Sequence, residues 1–210
     1  MNSRSAFLAT AAWLAASQLA ASQTGAAPLL SEVYYDAVGS DDGQSFVELF
    51  GAPGSSLEGL TIEGINGSGG GVTDRLELSG VIPADGLFVV ADGLAGGGTL
   101  VENADLVLDF DFQNGPDSVV LRSAAGVLDA LGYGVFAAGD VFAGEGSPAV
   151  DPGPGLAVAR PYADVDTDDN SLDFVAAAPS PGVAQRLGVP EPGAAALLAL
   201  GGLAALRRRC

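Results

Sequence analysis

Between residues 29 and 183 short apolar runs alternate with glycine, proline, aspartate and asparagine. The runs are "LLSEVYYD", "SFVELF", "GLTIEGI", "RLELSG", "GLFVVAD", "DLVLDFDF", "SVVLRS", "VLDALGYG", "LAVARPY" and "LDFVAAA". Several alternate cleanly: Leu106, Leu108 and Phe110 fall on one side, Val107, Asp109 and Asp111 on the other. A period of two, broken by turn signals roughly every ten residues, predicts an all-β protein folded as one antiparallel sandwich over 29–183. The Asn114-Gly115 pair in "FQNGPDS" predicts a hairpin between two of these strands. The stretch "AAAPSPGVAQRLGVPEPG" predicts an extended, poorly packed linker, and residues 184–188 belong to no element.

The two ends have a different pattern. Arg4 precedes the apolar run "AFLATAAWLAA", and small residues follow around "QLAASQ". This layout predicts a signal peptide over 1–23, read by the Sec translocon and cut by signal peptidase beside Ala20 and Ser22. At the other end, Gly193–Leu206 is uncharged. As a helix it would be about 21 Å long, short of the ~30 Å hydrocarbon core. Arg207, Arg208 and Arg209 follow it and predict a stop with the arginines on the cytoplasmic side. Pro190 and Pro192 hold the approach extended.

The order Val189-Pro190-Glu191-Pro192, apolar helix (193–206) and arginine cluster (207–209) resembles the PEP-CTERM sorting signal of Gram-negative bacteria, here spanning 189–210. The resemblance implies recognition of Pro190, Glu191 and Pro192 by an exosortase-type membrane protease. It also implies transient membrane anchoring, loss of the tail, and delivery to the cell surface or extracellular matrix. Cys210 stands after the arginines.

Three stretches of the middle region are similar to bacterial lamin-tail domains. They are "LLSEVYYDAVGSDDGQSFVELF", "NGPDSVVLRSAAGVLDALGYG", and "GEGSPA" followed by "LAVARPYADVDTDDNSLDFVAAAPSPG". The resemblance implies an immunoglobulin-like sandwich. The chain departs from the family pattern at Phe50-Gly51 and at Gln185, where the family has asparagine at the second position of the pair and after the Pro-Gly.

Composition narrows the chemistry. The net charge of −18 arises from 26 acidic side chains against 8 basic ones, all arginine, and all but one of the acids lie between the terminal segments. Such a chain repels nucleic acid and attracts cations or basic partners. Histidine is absent, which excludes Ser-His-Asp, Cys-His and imidazole-metal sites. A single cysteine excludes an intrachain disulfide. The only tryptophan, Trp13, lies in the signal peptide, so the exported chain has no indole platform for sugars. "GLAGGGT" and "GSGGG" lack the lysine of a phosphate loop and read as loops between strands.

"DVDTDDNSLD" carries the main candidate site: Asp164, Asp166 and Asp168 alternate like the first calcium-loop ligands, with Asp169, Asn170 and Asp173 as further oxygens. Asp169 replaces the glycine and Val175 the final glutamate, which excludes a regular EF-hand and leaves an irregular Ca2+ site open. The commoner arrangement is a turn whose Asp and Asn side chains cap backbone amides and face Arg160. A second acidic group, Asp36, Asp41, Asp42 and Glu48, flanks the first two strand candidates.

These features predict an exported, non-enzymatic surface or matrix protein with an adhesive or structural module, without catalytic residues. A calcium-dependent module binding an extracellular polysaccharide or a surface protein is the alternative, and a carboxylate-based hydrolase a lesser one.

Overall fold

The computed structural model describes residues 26–183. The segments expected to form a signal peptide (1–23), a linker (184–188) and a sorting signal (189–210) lie outside the described residues. Among the described residues no helix is long and apolar enough to cross a membrane.

Each of the ten apolar runs holds a strand. In chain order they are β1 (Leu29–Tyr34), β2 (Phe46–Phe50), β3 (Thr61–Asn66), β4 (Val72–Glu77), β5 (Leu87–Asp92), β6 (Leu106–Leu108), β7 (Asp117–Ser123), β8 (Gly126–Tyr133), β9 (Ala157–Ala159) and β10 (Val175–Ala177). They form a six-stranded sheet, β10-β9-β1-β2-β5-β6, and a four-stranded sheet, β4-β3-β7-β8. The all-β, two-sheet expectation therefore stands. The period of two explains the core: Val47 and Leu49 of β2, Phe88 and Val90 of β5, Ile62 of β3 and Leu121 of β7 meet in one buried cluster between the sheets. Gly126, at φ +142, turns β7 back onto β8, with Ser123 opposite Gly126.

Four expectations are corrected. Asn114-Gly115 does not close a hairpin. The strand before it, β6, lies in the large sheet and the strand after it, β7, in the small one, so the segment crosses between sheets. Pro116 has no N–H to close a two-residue turn, and the apolar Phe110 and Phe112 pull the connection through the core, where they are 5% and 1% exposed. The sandwich is not wholly antiparallel either: β6 runs parallel to β5, with Val90 opposite Leu106. A short helix, α1 (Asn170–Asp173), forms inside the acidic loop and is capped by Asp169.

The linker expected after the last strand run is in part well held. Ala176 and Ala177 pair with β9 as part of β10. Beyond them residues 178–183 cross the outer face of the large sheet. Ser180 donates its N–H and its hydroxyl to the two carboxylate oxygens of Glu32 (2.9 and 2.7 Å), and Gly182 N–H donates to Glu48 (2.7 Å). Asn103 Nδ2 donates to the Pro181 carbonyl at 2.9 Å. Phe50-Gly51 has a local explanation, since a Cβ at Gly51 would run into Ile82 and Pro28.

Candidate functional site

The end of β9 delivers Arg160 into the interior, where its side chain is fully buried. A guanidinium has five N–H donors and no acceptor, so burial requires five acceptors close by. They are present. Nε donates to the Leu30 carbonyl at 2.9 Å and Nη1 to the Val165 carbonyl at 2.7 Å. Nη1 also lies 3.1 Å from Asp173 Oδ2. Nη2 reaches Asp129 Oδ1 at 3.2 Å and Asp166 Oδ1 at 3.5 Å. The ring of Phe174 covers one face, with its centroid 4.4 Å from the guanidinium carbon. Asp129, on β8 of the other sheet, also accepts the Leu30 N–H at 2.6 Å. Burial pushes the Asp129 carboxyl above its ordinary range, against the pull of Arg160.

The structure distributes the six loop residues over different tasks. Asp173 accepts from Thr167 N–H and hydroxyl (2.9 and 2.8 Å) besides pairing with Arg160. Asp169 caps α1, taking Ser171 N–H at 3.1 Å and Ser147 N–H at 3.2 Å. The Ser171 hydrogen bonds hold its carboxyl below the usual range. Asn170 is fully buried: Oδ1 accepts from Gly132 and Glu145 N–H (2.8 and 2.9 Å), and Nδ2 donates to the Ala130 carbonyl (2.8 Å). Asp168 sits at φ +56 and donates its N–H to Asp166 at 3.3 Å. Asp164 is exposed. The capping and Arg160-facing roles expected for this loop are thus visible.

Of the six, only Asp166 joins a convergence of carboxylates. One oxygen each of Asp129, Glu145 and Asp166 lie within 4.8 Å of one another. Asp129 and Glu145 were not among the sequence candidates. Glu145 is placed by Asn170, which takes the Glu145 N–H on its side chain and gives its own N–H to the Glu145 carbonyl at 3.0 Å. The flanking glycines are required. A Cβ at Gly144 would strike Asn170 and Gly132, and one at Gly146, φ +59, would lie 2.7 Å from the Asp168 carbonyl oxygen. Glu145 Oε2 is buried and has no hydrogen-bond partner among the described residues. Burial first, then the charges of Asp129, Asp166 and Asp168, push its carboxyl up to about 7 despite Arg160.

The other acidic group does not assemble as one site. Asp41 and Asp42 line a cavity of about 390 Å³ together with Asp92, Asp109 and Asp111. Asp92 is occupied there by the N–H groups of Gly43 and Phe110 (2.6 and 3.1 Å). Glu48 lies instead on the outer face, opposite Glu32 in the β1–β2 register. Burial raises Glu48 to about 7, and it moves Glu32 upward too.

No family model matches the chain, and no curated protein or solved structure matches it either.

Removing Arg160 would leave Asp129 and Asp173 buried without a counter-charge. Arg160→Ala is expected to cost about 3–5 kcal/mol in urea unfolding, and Arg160→Lys nearly as much, since an ammonium offers only three donors. Glu145 predicts a pH effect. Its folded-state value, about 7, exceeds the ordinary 4.5. The folded chain therefore binds this proton more tightly than the unfolded one, and stability from this group is lost as pH rises from 4.5 to 7. With chelator present, Glu145→Gln should raise the thermal midpoint at pH 8 and leave it nearly unchanged at pH 4.

Proposed function

We propose that the chain is an exported, non-enzymatic surface or matrix protein of a Gram-negative cell. Its sandwich, of immunoglobulin-like, lamin-tail type, serves as a structural or adhesive module, and the tail carrying Pro190, Glu191 and Pro192 sorts it. The observation that supports the reading best is the use of the buried charge. The five N–H groups of Arg160 are all turned to acceptors of the fold itself, which is how a brace is built. The resemblances of the terminal segments to export signals add the address. The strongly acidic chain favours a cationic, calcium-bridged or neutral polymer partner over nucleic acid.

The test is an epitope inserted in the exposed glycine loop at 96–98, followed by cell fractionation. The tagged protein is expected on the cell surface or in the medium, shortened at both ends. Replacing Pro190, Glu191 and Pro192 by alanine should leave an uncut form in the membrane fraction. Cytoplasmic retention of the full-length chain, or identical processing of the alanine variant, would overturn the reading.

A second reading, a calcium-dependent binding module, is favoured by the orphan Glu145 Oε2 beside Asp129 and Asp166. Ca2+ takes carboxylate oxygens, and an ion there would relieve the repulsion that raises Glu145. Millimolar Ca2+ should then raise the thermal midpoint of the wild type at pH 8 and not that of Glu145→Gln. Equal response of the two proteins would remove this site from consideration.

A further inference from the structure

The chain has two Asn-Gly pairs beside one another, Asn66-Gly67 and Asn114-Gly115. Both asparagines line a cavity of about 270 Å³ with Pro116, Asp117 and Asp140. Identical in sequence, they differ in exposure and in how the asparagine side chain is held, both of which govern attack of a glycine nitrogen on the preceding side-chain amide.

At Asn66 the amide is held at both ends: Nδ2 donates to Gln113 Oε1 and Oδ1 accepts from Ser68 N–H, each at 2.6 Å. Gly67 is buried against the Pro116 carbonyl. Asn114 and Gly115 are both exposed. The Asn114 side chain has no hydrogen-bond partner among the described residues, so it is free to rotate its Cγ toward the Gly115 nitrogen. Gly115, at φ +90, brings no Cβ to obstruct the approach. Asp117 accepts from the backbone of both Gly67 and Gly115, so the two sites differ in exposure and in the hold on the asparagine amide, not in the glycine N–H contact.

We propose that Asn114 is a self-modification site, converted by its own backbone through a succinimide to an aspartyl or isoaspartyl residue, while Asn66 is protected by the fold. The Gly115 nitrogen loses its proton and forms a bond to Asn114 Cγ, and the Cγ–Nδ2 bond breaks with release of ammonia. Water then adds to either carbonyl of the ring and cleaves one C–N bond, giving a new carboxylate on the side chain or, in the isoaspartyl product, at the former main-chain carbonyl. No oxidant, metal or enzyme is required.

The site is placed where such a change matters. The Gln113 carbonyl accepts the Tyr133 hydroxyl at 2.8 Å, and Tyr133 stacks on Tyr35 at 4.3 Å in the core. An isoaspartyl residue lengthens the main chain next to that anchor and adds a charge beside Asp117 and Asp140. An exported chain would accumulate the change with age, although the chemistry itself does not depend on export.

The experiment is to incubate the purified protein at pH 8, folded and in urea, and to follow both peptides by mass spectrometry with isoaspartyl methyltransferase labelling. In the folded protein the Asn114 peptide should gain one mass unit, split into two products and accept label. Asn66, whose side-chain amide must first break two hydrogen bonds, should react slower by on the order of tenfold or more. In urea the two rates should converge, and Asn114→Ala should abolish ammonia release from the folded form. Equal rates in the folded protein, or an inert Asn114 in the folded form alongside a reactive one in urea, would overturn the proposal.

Discussion

The buried pair of Arg160 and Asp129 is the constraint on which the two sheets depend. Asp129 belongs to β8 of the small sheet, Arg160 follows β9 of the large one, and both take hold of the main chain of Leu30. Leu30 lies at an irregularity in β1, where the register against β2 shifts between Leu30 and Glu32. A strand that bulges there leaves polar main-chain groups to be satisfied from outside the ladder. The ion pair supplies a donor and an acceptor to the same residue, while its own desolvation is offset by the remaining acceptors around the guanidinium. The arrangement carries excess negative charge, because Asp166, Asp173 and Glu145 crowd the same cation. Burial raises the Glu145 carboxyl first, and that excess raises it further.

A second constraint acts on the opposite side of the large sheet. Glu32 and Glu48 stand directly across from each other in neighbouring strands, and like charges in that position destabilise a sheet. All four of their oxygens nevertheless have donors. Ser180 serves Glu32, whereas Glu48 is shared by Ser31, at 2.7 Å, and Gly182. The donors from 180 and 182 exist only because the chain returns over this face after β10. The glutamates thus fix where the chain leaves the domain, and the domain in turn satisfies two carboxylates that water would otherwise have to reach.

The strands were legible because half-buried sheets write a period of two into the sequence, and every apolar run became a strand. What the sequence could not convey was partnership. Asn114-Gly115 has the local chemistry of a tight turn, yet Phe110 and Phe112 bind the connection to the core and send it to the other sheet. For the acidic loop, the link to Arg160 could be inferred, since the residues lie close along the chain. Asp129 and Glu145 could not be assigned by spacing, as they belong to different segments. Their signals were nonetheless present: an acid in the middle of the apolar strand "VLDALGYG", and a glutamate bracketed by glycines in "GEG". A charged residue where the pattern calls for an apolar one marks an internal partner.

The acidic composition then has a structural meaning besides a surface one. A glycine-rich chain without a disulfide has many loop amides to satisfy and few side chains to do it. Here aspartates take that part. Asp92 receives the amides of Gly43, Gly93 and Phe110; Asp117 that of Gly67; Asp105 that of Val89; Asp169 those of Ser147 and Ser171. A carboxylate accepts such bonds more strongly than a neutral oxygen does, and it ties together loops far apart in sequence, as Asp92 and Gly43 are. The cost is mutual repulsion, tolerable where each charge is spread over several amides. It becomes acute only where a buried carboxylate oxygen has no donor, and among the described residues that place is Glu145, beside Asp129 and Asp166.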